Sequence, residues 1–402
     1  MSADTPILNY RIPGPQGSGF RLSLLRWWGS YPVTQLGVFL ALAAIFWLLG
    51  SNMLQSMHRL GITPGFGFLG QSANFAIGES LIAYSPSDSF GRAALVGLLN
   101  TVAIAISGCI LATILGVFLG IARLSGNVLL AGLVRIYVET LRSTPLLLQL
   151  FFWSAVTHAL PAPRQAFSIF TAIFLSNRGI FVPSIGAGHL SLKTLLVSVG
   201  LCIVSGAYFS LRRRSGNAVT MTERAGILLL TLIGIGLVFR LSSVSIRIDV
   251  PALKGFNIVG GLNLTPEFAA LLIGLVVNSS ATIAEIVRSG IQSVPSGQWE
   301  AARSLGLQPA RIMRLVVLPQ ALRVIIPLMT SSYLDLTKNS SLAVAIGFPD
   351  LVSVLNTTAN QSGQALEALA IIVICYLTFN LSVSTLMNWY NKRIERQGYL
   401  PR

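Results

Sequence analysis

Between Arg92 and Arg123 the chain reads Ala93-Ala-Leu-Val-Gly-Leu-Leu-Asn100-Thr-Val-Ala-Ile-Ala-Ile-Ser-Gly-Cys109-Ile-Leu-Ala-Thr-Ile-Leu-Gly116-Val-Phe-Leu-Gly120-Ile-Ala122, without one charged side chain. A helix needs about 20 apolar residues to cross the hydrocarbon core of a bilayer, so this run is long enough to span. The composition around it agrees. Of 402 residues 53% are hydrophobic and only 10% charged, where a soluble domain carries about 25% charged residues. There is too little polar surface to coat a water-soluble globule. The fold class is therefore an all-α integral membrane protein.

Other charge-poor runs follow from the same criterion. Val33 to Gly50 is the first, and the Arg92–Arg123 run is the second. A third extends from just after Arg142 to about Ala162, entered from a less apolar stretch beginning near Leu133. Lys193 to Arg212 brackets a fourth and Arg224 to Arg240 a fifth. A sixth runs from Phe268 to about Ile291, a seventh from about Ala321 to Thr337, and an eighth from Ala368 to Tyr390. About eight transmembrane helices are expected, the fifth and seventh being the shortest.

The formal charge of +15 sorts by side. With the N-terminus inside, one side collects Arg11, Arg21, Arg26, Arg123, Arg212, Arg213, Arg214, Arg224, Arg303, Arg311, Arg314, Lys392, Arg393, Arg396 and Arg402. The other holds Arg59, Arg92, Arg164, Arg178, Lys193, Arg240, Arg247 and Lys254. Cytoplasmic loops carry the excess of Lys and Arg, so both termini are expected in the cytoplasm. The basic balance is thus a topology signal, not a nucleic-acid one. The first apolar run is longer than a signal-peptide core and no small-residue cleavage site follows it, which reads as an uncleaved anchor.

Cys109, Cys202 and Cys375 each sit inside an apolar run, and His58, His158 and His189 share no helical spacing, so no metal or disulfide framework is expected. Two outer segments, residues 51–92 and 159–190, are rich in Gly, Ser and Pro. They serve either as solvated connections or as a docking surface for an external partner. A short echo, Glu139-Thr-Leu-Arg142-Ser143 and Glu285-Ile-Val-Arg288-Ser289, pairs Glu with Arg at i, i+3. These pairs at the inner mouth either make membrane charges tolerable or line a gate.

The loop between the sixth and seventh spans reads Gly297-Gln-Trp-Glu300-Ala301-Ala302-Arg-Ser-Leu-Gly306, then Leu-Gln-Pro309-Ala-Arg-Ile-Met-Arg-Leu-Val316-Val-Leu318-Pro319. Ser296 or Gly297 can cap a first helix. Glu300 sits in its first turn, where the helix dipole favours an anion. Gly306 suits the left-handed position that ends it, and Pro309 the first turn of the next. Pro319 marks the turn into the membrane. The expected product is a rigid helix-turn-helix on the inner face, with Ala301 and Ala302 small enough for another protein to approach.

This pattern (E-A-A, three residues, G, nine residues, I-x-L-P) resembles the signature of permease subunits of binding-protein-dependent ABC importers. It matches at Glu300, Ala301, Ala302, Gly306, Leu318 and Pro319, with Val316 in place of Ile. The flanks Ala284-Glu-Ile-Val-Arg-Ser-Gly290, Leu318-Pro-Gln-Ala-Leu, Leu336-Thr-Lys338-Asn-Ser-Ser and Tyr137-Val-Glu-Thr-Leu-Arg-Ser-Thr-Pro145 are similar to the polar amino-acid permeases. The extra spans resemble the long permease subunit of the general L-amino-acid transporter subgroup. The resemblance implies a five-helix permease core in two parts, 90–160 and 266–392. Around it lie a cytoplasmic tail (1–32), an additional span (33–50), an insert of loops and two extra spans (161–265), and a second tail (393–402). The loop 293–319 would be the coupling element that seats in a cytoplasmic ATP-binding subunit. The resemblance further implies a second permease, as a heterodimer, an outer amino-acid-binding protein, and residence in the bacterial inner membrane.

The chain has no Gly-Lys pair, and a P-loop requires one. No catalytic constellation stands out either, so the chain is expected to be no enzyme and to hold no cofactor, with ATP and Mg bound by the partner. Candidate pathway residues are the polar groups within spans: Asn100 and Thr101; Gln149; Asn278, Thr282 and Glu285 on one face; and Ser331, Asp335 and Lys338 on another. Together they offer acceptors for an ammonium and donors for a carboxylate. The plainer reading is interhelical glue. Gly116 and Gly120 form a GxxxG that favours close helix contact, Pro327 would kink its span, and the run after it, Ser341 to Phe348, is too short to cross. The competing function is an ion-coupled secondary amino-acid transporter, which would need neither the coupling loop nor an ATPase.

Overall fold

The charge-free run folds as one helix, and its two faces explain why. A computed structural model describes residues 31–59, 65–170, 172–188 and 245–397, with scattered positions between 200 and 238. In it, α2 spans Phe90–Arg123. Gly97, Thr101, Ile104, Gly108, Ala112, Gly116 and Gly120 are buried along one stripe. Ile106, Ile110, Ile114, Phe118 and Ile121 are exposed along the opposite one. Spacings of three and four place each set on a single helical face. The small face receives neighbouring helices, and the branched face is chemically suited to lipid.

An N-terminal unit carries α1, Pro32–Arg59, whose Val33–Met53 stretch is long and apolar enough to cross a membrane. The remaining elements belong to a second unit, from Gly67 onward. There α2 is followed by α3 (Val128–Ser143) and α4 (Leu146–His158). After the strands come α5 (Pro266–Gln292), α6 (Ser296–Ser304), α7 (Pro309–Ile312), α8 (Leu318–Asn339), α9 (Leu351–Ser362) and α10 (Ala365–Gln397). The centre is α5, which packs against α2, α3, α4 and α8, while α10 covers α8 and α9. Among the described residues five helices are long and apolar enough to span. The fourth and fifth expected spans, with Arg212, Arg213 and Arg214, lie largely or wholly outside the described residues.

The third expected span proves to be two helices. Pro145 has no N–H to continue α3, and the residue before a proline is biased away from helical backbone. Thr144 accordingly turns extended, at φ −96° and ψ 128°, and α4 starts afresh at Leu146. The seventh span also differs from expectation. Pro319 does not turn the chain; α7 runs through a π-helical turn, Met313–Val317, directly into α8. Such a turn accommodates a missing backbone donor without breaking the helix. Pro327 lies inside α8, which continues to Asn339. The short run after it forms a 3-10 helix, Ser340–Ile346, closed by Gly347 at φ +78°.

The insert begins and ends in strands where only loops were anticipated. Strands β1 (Phe167–Ile169), β2 (Ile173–Ser176) and β3 (Gly179–Val182) form an antiparallel sheet, and β8 (Leu262–Leu264) pairs with β3 through Ile180 opposite Leu264. Between them β4 (Ser184–Gly188) pairs with β5 (Ser245–Asp249), and β6 (Ala252–Lys254) with β7 (Asn257–Val259). The two ends of the insert are thus zipped together, and the chain is delivered to α5 almost where it left α4. A long insertion closed in this way leaves the helical core intact.

The end of the bundle where α2 begins is capped by chain that sequence reading treated as loop. Phe68, Ala73, Phe90, Ala93 and Val354 form a buried cluster. Asn100 donates from Nδ2 to the carbonyls of Glu79 (2.8 Å) and Pro349 (2.9 Å), and Thr101 accepts from the Leu351 N–H (3.0 Å). Asp350 caps α9 by accepting from the Ser353 N–H at 2.8 Å. Burial pushes its carboxyl up to about 6 from 3.8. A raised carboxyl holds its proton more tightly folded than unfolded. Its contribution to stability is therefore full below about 3.8 and is lost as pH rises through 6. The span of the shift corresponds to about 3 kcal/mol. Asp350→Asn keeps the capping oxygen and removes the titration. Detergent melting curves at pH 5, 6 and 7.5 should show the variant gaining on the parent as pH rises; parallel curves would contradict this assignment.

Candidate functional site

The loop of interest is a hairpin of α6 and α7 whose bend is fixed by one glycine. Gly306 has φ +71°, a conformation that glycine adopts without a Cβ penalty. Around it the Leu307 N–H donates to the Ala302 carbonyl (3.3 Å) and the Gly306 N–H to the Arg303 carbonyl (2.9 Å). These two bonds are the Schellman closure of a helix end, as the sequence led one to expect. At the other end the N-cap is Pro295, with no side-chain cap, so neither Ser296 nor Gly297 plays the capping role anticipated for it.

The hairpin has an inner and an outer face. Ala302 is only 3% exposed and joins Val294, Ile312, Val317 and Ala321 in one apolar cluster, with Trp299 and Leu307 packed against it. Its small size therefore serves packing within this chain, a correction to the reading that left it open to another protein. Glu300, Ala301 and Arg303 are exposed, and Leu305 stands out at 79%. Sequence reasoning passed over Leu305, although its place directly before the left-handed glycine marks it as the tip of the hairpin. Leu318 is part-exposed, and Pro319 opens α8. The cluster continues without a gap into the bundle, through Ile325, Met329 and Leu336 of α8, Ile283 and Val287 of α5, and Ala112 of α2. A displacement of the hairpin must move these helices, because close-packed interiors transmit strain.

Above the hairpin lies an ion-pair network. Arg123, the last residue of α2, places Nη1 2.5 Å from Glu285 Oε2. Arg288 bonds the same carboxylate, through Nε at 3.1 Å and through Nη2, as the i, i+3 spacing requires. The other expected pair is not observed. Glu139 instead meets Arg135 Nε at 2.7 Å, one turn earlier, and approaches Arg123 Nη2 at 4.0 Å; Arg142 forms no ion pair within 4 Å among the described residues. Arg123 joins the two halves of the network, a role that its place at a helix end did not suggest.

The pathway candidates separate into three places. Asn100 is buried near the start of α2, with both amide contacts used on backbone. Gln149 and Asn278 meet at the break between α3 and α4: both amides donate to the Leu141 carbonyl, at 2.9 and 3.5 Å, and Gln149 also reaches the Thr144 carbonyl at 3.0 Å. They satisfy carbonyls freed where the helix stops, while Gln149 Oε1 is buried with no partner among the described residues. Thr282 and Glu285 continue the half-buried α5 face below them. Ser331, Asp335 and Lys338 share an exposed face of α8, and no ion pair joins Asp335 to Lys338 among the described residues. His158, which shares no helical spacing with the other histidines, lies 3.5 Å from Glu267 through Nε2.

With this geometry in hand, the comparisons with known proteins are consistent with it. The family described as binding-protein-dependent transport system inner membrane component matches residues 112–396, which takes in the hairpin, the ion network and the spans around them. A putative amino-acid ABC transporter permease protein of Escherichia coli, YhdX, is 46% identical over 89% of this chain and 92% of its own length. The general L-amino acid transport system permease protein AapQ of Rhizobium johnstonii is 42% identical, over 90% and 91%. The glutamate/glutamine/aspartate/asparagine transport system permease protein BztB of Rhodobacter capsulatus is 37% identical, over 95% and 98%. A spanning bundle, a glycine-locked hairpin welded to its core and a family match across both lead to one statement: this chain belongs to the inner-membrane components of binding-protein-dependent transport systems.

Proposed function

We propose that the chain is one permease half of an importer for L-amino acids, driven by a separate ATPase that docks on the exposed face of the α6–α7 hairpin. The observation that carries the reading is the unbroken apolar cluster from Ala302 to Leu336. It gives a cytoplasmic engine a stiff lever on α5 and α8. Glu300, Ala301, Gly306 and the knob at Leu305 form the contact, with Ala302 holding the lever from within, and ATP and Mg belong to the partner. The relatives named above support the substrate class. Both termini and the hairpin face the cytoplasm, as the distribution of Lys and Arg indicates.

The exposed α8 face supports a second permease. A charged side chain at bilayer depth costs about 2.5–3.5 kcal/mol on insertion scales, so Asp335 and Lys338 require protein or water beside them, not lipid. A second, different permease chain on that face would enclose a wet pathway between the two. Gln149 and Asn278 lie at a helix break, where unwound backbone in transporters faces substrate. An outer amino-acid-binding protein delivers the solute, and the Arg123–Glu285–Arg288 network closes the inner mouth.

The test is reconstitution. Vesicles holding this chain with its second permease and ATPase, supplied with the binding protein, should take up labelled L-amino acid only when ATP is present. Uptake by the chain alone under an ion gradient, without ATP, would instead establish the secondary-transporter alternative.

A further inference from the structure

At the end of α5 remote from the hairpin lies a cavity of about 360 Å³, walled by the start of α5, by α9 and by residues 75–79. Gly347 and Pro349, which follow the 3-10 turn after α8, form a further side. Phe75, Ile77 and Val354 supply apolar wall, Glu79 and Glu267 bring two carboxyl groups, and no Lys or Arg lines it among the described residues. Glu79 is held in place: its Oε2 accepts from the Thr265 hydroxyl, and Thr265 in turn caps α5 by accepting from the Phe268 N–H at 3.2 Å. Glu267 has His158 beside it at 3.5 Å, but no cation pairs with Glu79 among the described residues. Burial raises the Glu79 carboxyl above its ordinary value, the Thr265 hydrogen bond opposes that rise, and the Glu267 charge adds to it. Desolvation and a like charge both disfavour ionisation, and a bound cation relieves both.

Size and lining narrow the kind of cation. Cavities of about 300–1,000 Å³ with mostly apolar walls and a few placed polar groups suit small organic ligands. A bare metal ion would fill little of this volume and would leave Phe75, Ile77 and Val354 without a partner. An anion would meet two carboxylates and no guanidinium or ammonium group. An ammonium carried on a small organic body uses both the charge and the apolar wall. None of the residues assigned to the inner-mouth network or to the α8 pathway face lines the cavity. The hairpin leaves the opposite end of α5, so an ATPase docked there puts the cavity on the side where solute is delivered.

We infer that this cavity receives the ammonium group of an L-amino acid on Glu79 and Glu267, ahead of the α8 face. The identity of the occupant rests on the importer reading; the test of the site needs neither ATP nor transport.

That test uses the permease–ATPase complex in detergent, carrying Thr357→Cys on the cavity wall. Two thiol reagents of opposite charge, 2-aminoethyl and 2-sulfonatoethyl methanethiosulfonate, are compared at this position by peptide mass, each normalised to its rate with free cysteine. The cationic reagent should react about tenfold faster, as a cleft lined by one sign of charge concentrates its counter-ion. Millimolar L-alanine should slow the reaction, whereas N-acetyl-L-alanine, which lacks the ammonium, and sodium chloride at the same concentration should not. Glu79→Gln with Glu267→Gln, which keeps an acceptor for the Thr265 hydroxyl, should abolish both the charge preference and the protection, at a melting temperature matching the parent. Equal normalised rates, equal protection by N-acetyl-L-alanine or by sodium, or an unchanged preference in the double variant overturns the inference. Failure of the parent complex to import with ATP would instead count against the importer reading, and the labelling would still decide whether the cavity binds an ammonium group.

Discussion

Gly306→Val should abolish ATP-driven transport while the protein still inserts and accumulates. The added Cβ finds open space at this position, so the penalty is not a collision. It lies in the backbone: φ is +71°, and a left-handed conformation costs an L-residue roughly 1–2 kcal/mol, with β-branched side chains the worst placed. The hairpin is short and its closure rests on two backbone bonds. The cheaper response is therefore to relax Gly306 out of the left-handed region, which breaks the Leu307–Ala302 bond and re-aims α6. Leu305 and Glu300 then no longer present the same face. The bundle is untouched, because the cluster around Ile312 and Val317 does not require that bend. Transport in reconstituted vesicles should fall at least tenfold, with ATP hydrolysis no longer stimulated by loaded binding protein. Gly306→Asn is the control, since asparagine tolerates the left-handed region, and it should keep most of the activity. Equal transport by parent and Gly306→Val would remove the hairpin bend from the mechanism.

That bend was legible in the sequence because a glycine between two short helical patterns has few other uses. The spans were legible for a similar reason: a charge-free run long enough to cross a bilayer has one low-energy solution. What stayed hidden depended on partners distant in sequence. Asn100 and Gln149 read as pathway candidates, yet their amides are committed to backbone carbonyls that only the folded chain brings near. Glu139 has a basic residue at both i−4 and i+3, and local spacing did not decide between Arg135 and Arg142. The choice of Arg135 coincides with Arg123 approaching from another helix. Ala302 and Ala301 are adjacent and chemically identical, and only the direction of the helix face separates a core contact from an exposed one. The zipped insert was missed because its strands are three to five residues long, too short for an alternating pattern to emerge from a Gly- and Ser-rich background.

The largest loss of folded protein should follow from Gly116→Leu, which tests the seam between α2 and α5. A Cβ built on Gly116 would lie 2.6 Å from both Cβ and Cγ2 of Ile283 and 3.0 Å from the Ser280 carbonyl oxygen. On Gly120 it would lie 2.8 Å from Val287 Cβ and 2.9 Å from the Ala284 carbonyl oxygen. These neighbours are branch points and backbone, not flexible side-chain ends, so relief requires α5 to move away from α2. But α5 is also held by α3, α4 and α8, and by the Arg123–Glu285 contact one turn beyond. Overpacking a dense core by a methyl group or two typically costs 1–3 kcal/mol, which is the range expected for Gly116→Ala. Leucine adds three further carbons on the same line of contact and should exceed what a domain with 5–15 kcal/mol of stability can absorb. Immunoblots of the membrane fraction should show Gly116→Leu nearly absent, with Gly116→Ala present but melting lower in detergent. Pairing Gly116→Ala with Ile283→Ala, which removes Cγ2 and leaves Cβ, should restore part of that loss. Gly126→Ala, whose Cβ meets nothing within 4 Å, should behave as the parent does. Parental levels and melting for Gly116→Leu would mean that the two helices do not approach this closely in the membrane.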